Sequence, residues 1–225
     1  MSPPLLYGLA PNTPLRMDGL EFLGKLPPEV VSVAFFDPQY RGLYDKLKYG
    51  NEGVNRQQRR GALEQMDDST ISRFLAEIDR VLLPQGHLFM WVDKFHLVQG
   101  TKHWISDDRS IEVVDMITWN KCRMGLGYRS RNSADYCLIL QKPPLRAKGV
   151  WKDNSIEDVY AQKLPRPASH PHAKPVTLQK KLIEAVTDVG ELVIDPAAGS
   201  FSVLEASLQT DRVFLGCDLV IPEEG

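Results

Sequence analysis

The stretch ELVIDPAAGSFSVLEASLQTDRVFLGCD, residues 191–218, decides the fold. Residues 191–194 read as a short apolar strand that runs into the turn Asp195-Pro196-Ala197-Ala198-Gly199-Ser200. A short helix over 201–208 follows, and then a second strand over 213–217 that ends on Asp218. Strand, helix and strand in that order belong to a parallel sheet covered by helices.

Working outward, the same alternation continues. Residues 176–187 place Leu178, Leu182, Ile183 and Val186 on one helical face. Residues 136–141 and 111–119 read as strands, as does 87–92. Over 69–83 the apolar positions Ile71, Phe74, Leu75, Ile78, Val81 and Leu82 have helical spacing, with Pro84 and Gly86 as a stop. Residues 30–36, VVSVAFF, form a buried strand that ends at Asp37-Pro38. The expectation is one Rossmann-like α/β domain over 1–225, with a mostly parallel central sheet and helices on both faces.

In such sheets ligands bind beyond the carboxyl ends of the strands. Asp37, Asp195 and Asp218 all stand at predicted strand ends. The small residues of the 195–200 turn allow close backbone approach, and the N–H groups of the helix that follows suit an anionic tail. Asp218 stands where a carboxylate can accept both hydroxyl hydrogens of a ribose. A ribose with an anionic tail fits several nucleotides and also S-adenosylmethionine. One glycine and no following Lys-Ser or Lys-Thr disfavour a phosphate-cradling loop.

Asp37-Pro38-Gln39-Tyr40 is the sharper signal. An exocyclic amine on a base is a poor nucleophile, because its lone pair is delocalised into the ring. The Asp37 carboxylate and the Pro38 carbonyl can accept its hydrogens, and Tyr40 offers a face on which an extruded base can stack. The bland reading of such a tetrapeptide is a β-turn with proline at its second position.

Five elements in this order resemble the β-class DNA amino-methyltransferases. They are Arg16-Met17-Asp18-Gly19 with 26–36; the tetrapeptide at Asp37; Trp119-Asn120-Lys121 through 125–131 to 135–142; His170-Pro171-His172-Ala173-Lys174-Pro175; and 195–200. The resemblance implies a circularly permuted motif order, with the catalytic motif ahead of the cofactor motif. It further implies methyl transfer from S-adenosylmethionine to DNA after base flipping. Adenine N6 is the expected target, because aspartate at the first motif position is associated with adenine. Asp37, Pro38 and Tyr40 are the implied catalytic residues. Asp18, Phe36, Lys174, Pro175, Asp195, Pro196, Ala198, Gly199, Ser200 and Asp218 are the implied cofactor contacts. The chain departs from the pattern at Gln39, where the family has proline, at Ala197, usually aromatic, and at Phe201, usually glycine. An N4-cytosine or RNA methyltransferase, or a catalytically silent nucleic-acid-binding subunit, are the alternative readings.

Composition sets the remaining bounds. Of 225 residues, 43% are hydrophobic and 25% charged, which excludes a disordered, collagen-like or coiled-coil chain. Three cysteines without a C-x-x-C pair argue against a disulfide framework or zinc site. His170 and His172 lack a nearby cysteine or carboxylate, so no metal is expected. The absence of a signal peptide or a long apolar run predicts a cytoplasmic protein with no membrane partner.

The net charge of −2 hides its distribution. Residues 121–152 carry eight basic side chains against Asp135, and 41–60 carry six against two. Aromatics are interleaved in both, which suits phosphate contact and base stacking. The expected DNA contacts are Arg41, Lys46, Lys48, Arg56, Lys121, Arg123, Arg129, Arg131 and Lys148. Residues 41–61 are expected to form a mobile substrate loop. Residues 143–169 are expected to be a short target-recognition insert, so small that a homodimer or specificity partner would help complete recognition.

Overall fold

The computed structural model describes residues 4–38, 66–105, 109–125, 129–163 and 173–221. In chain order these form β1 (Leu15–Arg16), α1 (Gly19–Lys25), β2 (Val31–Phe36), α2 (Asp68–Val81), β3 (Leu82–Val92) and α3 (Lys94–Gln99). Then come β4 (Glu112–Asn120), β5 (Ala134–Gln141), β6 (Val159–Ala161), α4 (Val176–Val186), β7 (Leu192–Asp195), α5 (Ser202–Leu208) and β8 (Val213–Asp218). The strands make one sheet in the order β1-β8-β7-β2-β3-β5-β4-β6.

Alternation along the strands creates the two layers. All six residues of β2 are buried. Val33 and Phe35 face the core under α4 and α5, whereas Ala34 and Phe36 face the core under α1 and α2. Helix α2 buries Ile71, Phe74, Leu75, Ile78 and Val81, the spacing read from the sequence. Its first turn is capped by Asp67, which accepts the Thr70 N–H at 2.7 Å. Arg80 near its end donates to the carbonyls of Leu26 and Leu23, both at 2.9 Å, and so pins the end of α1.

The sheet is mostly parallel, as expected; β5 is the exception, antiparallel to both β3 and β4. The described residues between β4 and β5 carry no helix, and strands joined without a crossover helix run antiparallel. A second difference concerns Pro84 and Gly86. They interrupt the helix as predicted, yet both lie inside β3. The pairing slips from Val31↔Leu82 to Val33↔His87, and this irregularity accommodates the proline. Among the described residues no helix is long and apolar enough to cross a membrane, and no group of three or more His, Cys, Asp or Glu could hold a metal ion.

Candidate active site

Strands β8, β7 and β2 are neighbours, so Asp218, Asp195 and Asp37 stand side by side at one edge of the sheet. Three carboxylates packed together need compensation: one finds a cation and two find backbone N–H groups. Asp37 pairs with the ammonium of Lys174, which is 11% exposed and lies 5.3 Å from the centre of the Trp91 ring. Asp218 accepts the Gly199 N–H at 2.8 Å through Oδ2 and the Val220 N–H at 3.1 Å through Oδ1. Asp195 is buried and accepts the Ala197 N–H at 3.1 Å. Burial pushes its carboxyl well above the usual 3.8; the Ala197 N–H opposes that, Asp37 and Asp218 reinforce it, and Lys174 opposes it. Burial on its own lowers the pKa of the Lys174 ammonium, but Asp37, with Asp135 behind it, holds it above the ordinary lysine value.

The 195–200 turn folds as its small residues allow. Ala198 donates to the Cys217 carbonyl at 2.9 Å, and Phe201 donates back to Ala198 at 2.8 Å. Gly199 has φ +50°, and a Cβ there would meet nothing within 4 Å, so the turn opens onto free space. Phe201 also adopts a left-handed conformation, φ +55°. For a non-glycine residue that costs roughly 1–2 kcal/mol. The Phe201 ring is 6% exposed and packed into the α4/α5 core; such burial is worth about 1.5–3 kcal/mol, which offsets the strain. The departure from glycine is therefore a packing choice. No side chain caps α5.

Several expected contacts take different positions. Asp18 caps α1, its Oδ1 accepting the Leu20 and Glu21 N–H groups at 2.9 and 3.0 Å. It stays close to the site because the Met17 N–H reaches the Asp218 carbonyl at 3.2 Å. The Phe36 ring is fully buried and stacked on Phe74 at 5.0 Å, so its side chain serves the core. Ala198 likewise points its methyl into the core. Pro196 directs its carbonyl at α1, 2.2 Å from where a Cβ on Gly19 would stand. Only glycine fits there. Pro175 opens α4, its carbonyl accepting the Gln179 N–H at 3.1 Å. Pro38 is buried beside Asp37, and Ser200 is half-buried. Tyr40, Gln39, His170 and His172 lie outside the described residues, as does the 41–61 loop with Arg41, Lys46, Lys48 and Arg56.

The expected basic surface divides. Arg129 and Arg131 are exposed and Arg123 is half-buried, all between β4 and β5 at the carboxylate edge. Lys121 is also there, but Asp135 pairs with it at 2.6 Å and it lies 5.6 Å from the Trp119 ring centre. Lys148 is not there. Strand β5 runs backwards, so Gln141 pairs with His87, where β3 and β5 first meet, and with Glu112, the first residue of β4. The chain therefore leaves β5 at the opposite edge, and Lys142, Arg146, Lys148 and Lys152 follow it. Of the 143–169 insert, β6 returns alongside Thr118 to Asn120 towards the site, and residues 164–169 lie outside the described residues. A cavity of about 460 Å³ lined by His87, Ile117, Ile139, Arg146 and Trp151 also opens away from the carboxylates. Cavity shape and chemistry thus point to different places, and the charged cluster is the better guide because buried carboxylates need a functional reason.

Sequence reasoning missed the Lys174–Asp37 pair, the Trp91 ring beneath it and the fit of Gly19 under Pro196. No sequence signal links residues 137 positions apart as Asp37 and Lys174 are. A glycine directly after the α1 cap was the one hint for Gly19.

Comparison with known proteins extends this geometry. The DNA methylase family model (N6_N4_Mtase) matches residues 31–221. The type II methyltransferase M.HhaII of Haemophilus parahaemolyticus is 48% identical over 213 residues, covering 95% of this chain and 93% of that protein. Among solved structures, the PvuII DNA methyltransferase, described as cytosine-N4-specific, matches with TM-score 0.69 at 14% identity, covering 92% of this chain and 82% of that one. The complex of M1.HpyAVI with S-adenosylmethionine matches with TM-score 0.60 at 19% identity, covering 90% of each chain.

Proposed function

We propose that this chain, which belongs to the DNA methylase family, moves the methyl group of S-adenosylmethionine to adenine N6 in DNA. Its membership makes it a DNA amino-methyltransferase, a class that acts on adenine N6 or cytosine N4. The observation that carries the site assignment is the placement of Asp37, Asp195 and Asp218 on three adjacent strand ends.

The residues present suit the cofactor. Gly199 leaves free space beside the turn, and Asp218 uses two of its roughly four lone-pair positions on backbone N–H groups. The remaining positions can take ribose hydroxyls, while Gly199 and Ser200 border the methionine end. When bound, S-adenosylmethionine supplies an electrophilic methyl. Asp37 and the Pro38 carbonyl accept the hydrogens of the target amine, and Tyr40 stacks the flipped base. Phosphate contact is assigned to Arg123, Arg129 and Arg131, and sequence reading to 41–61 together with the part of 143–169 that returns through β6. A second copy or a specificity subunit would extend so small a reading surface.

Adenine is preferred because the first motif position is Asp37. The test is incubation of purified protein with DNA and methyl-labelled S-adenosylmethionine, followed by digestion to nucleosides and mass spectrometry. N6-methyladenine is the expected product. N4-methylcytosine would overturn the choice of base, and no labelled nucleoside would overturn the transfer itself.

A further inference from the structure

Two lysines at the carboxylate edge are built alike. Lys174 lies over Trp91 and pairs with Asp37; Lys121 lies over Trp119 and pairs with Asp135. The two indoles meet edge to face at 6.2 Å, so the pairs share one aromatic floor. Trp119 is itself fixed, its Nε1–H donating to the Gln162 carbonyl at 2.9 Å. Such a floor gives an ammonium a defined position by cation–π attraction.

The hydrogen bond from Lys174 goes to one oxygen of Asp37, Oδ2. No described residue bonds to Oδ1. We propose that Lys174 is a positioning residue for methyl transfer: it clamps Asp37 through Oδ2, so that Oδ1 faces the exocyclic amine of the target base. This rests on the amino-methyltransferase reading above and goes beyond it, because it takes Lys174 out of the cofactor's contacts and gives it a role through Asp37. The buried ammonium also has a second task. Asp37, Asp195 and Asp218 would repel one another at close range, and Lys174 is the cation among them. Among the described residues the groups facing it are Asp37 from the end of β2, Asp195 from β7, Asp135 and the buried thiol Cys137 from β5, and Trp91 from β3. Lys121 is held off by its own pairing with Asp135.

The decisive variant is Lys174→Met, measured against Lys174→Arg. For K174M, kcat for DNA methylation is expected to fall roughly 30- to 300-fold. The dissociation constant for S-adenosylmethionine, by isothermal titration, is expected to stay within about threefold, since the cofactor loses no direct contact. K174R keeps the charge and should recover to within about tenfold of wild type. Should K174M not fold, as judged by near-ultraviolet circular dichroism, K174Q carries the same measurements. K174R as slow as K174M, or cofactor affinity falling as steeply as kcat, would overturn the positioning role and return Lys174 to the cofactor. Wild-type protein without methyl transfer would instead sink the parent reading, and this inference with it.

Discussion

The two edges of the sheet are both rich in charge, and they use it in opposite ways. At the carboxyl edge, Asp37, Asp195 and Asp218 crowd together around the buried ammonium of Lys174, an arrangement that costs stability. At the far edge the cations serve the fold. Lys142 donates to the carbonyls of Asp79 and Leu82, both at 2.9 Å, and pairs with Glu29 at 3.4 Å. Gln141 there exchanges hydrogen bonds with the backbone of Arg146, at 2.9 and 3.0 Å. His87, buried at that edge, has its pKa lowered by burial to about 4 and so stays neutral. Function concentrates where charges are left in tension, and stability where each is answered by backbone.

The largest expected effect breaks this contrast directly. Asp37→Asn should lower kcat for DNA methylation by about 10²–10³-fold in protein that circular dichroism shows to be folded. Lys142→Met should do the reverse, leaving kcat unchanged and costing about 1–3 kcal/mol in a denaturant titration, because two carbonyls lose a charged donor. If the two variants behaved alike, the division of labour between the edges would be wrong.

Gly19→Ala sharpens the picture within the carboxyl edge. The new methyl would press on the Pro196 carbonyl, whereas at Gly24 in the same helix a Cβ meets nothing within 4 Å. Overpacking predicts a loss of about 1–3 kcal/mol for G19A, and calorimetry should find no such loss for G24A.

Smaller again is the effect of the basic residues on binding. Arg129→Ala with Arg131→Ala should reduce the slope of log affinity against log salt by roughly one to two, while Arg146→Ala with Lys148→Ala leaves it unchanged. Equal slopes for the two double variants would return the far edge to the DNA surface.

The smallest effect is on stability against pH. The carboxyl pKa of Asp195 is raised by folding, so its contribution is complete below the ordinary aspartate value of 3.8 and is lost as pH rises through the folded value. Asp195→Asn removes that loss. Its melting temperature should exceed that of wild type by a few degrees at pH 8 and match it near pH 3.5; a gap that persisted in acid would show that charge is not the cause.

The long elements were legible because their signals are local. The run 30–36 and the helical spacing from Ile71 to Val81 depend only on side chains close in the chain, and β2 and α2 formed within one or two residues of expectation. Strands of two or three residues such as β1 and β6 are too short to carry periodicity, and α1 and α3 each span fewer than two full turns. Pro84 stopped the helix as its missing N–H requires, but whether a strand could begin at once depended on a register slip against β2 that belongs to a partner strand.

By itself the sequence determined the layers and the acidic edge, since strand alternation, helical spacing and the turns after Asp37 and Asp195 are properties of short segments. Only the tertiary structure decided who stands beside whom. The reversed direction of β5 sent Lys148 to the far edge, although it lies 17 residues from Arg131 in the same basic run. Folding across 137 positions brought Lys174 onto Asp37, and a single backbone carbonyl made Gly19 irreplaceable. Charge counted along a chain sums side chains that the sheet may place at opposite ends, because Coulomb interaction and burial act through space and take no account of sequence order.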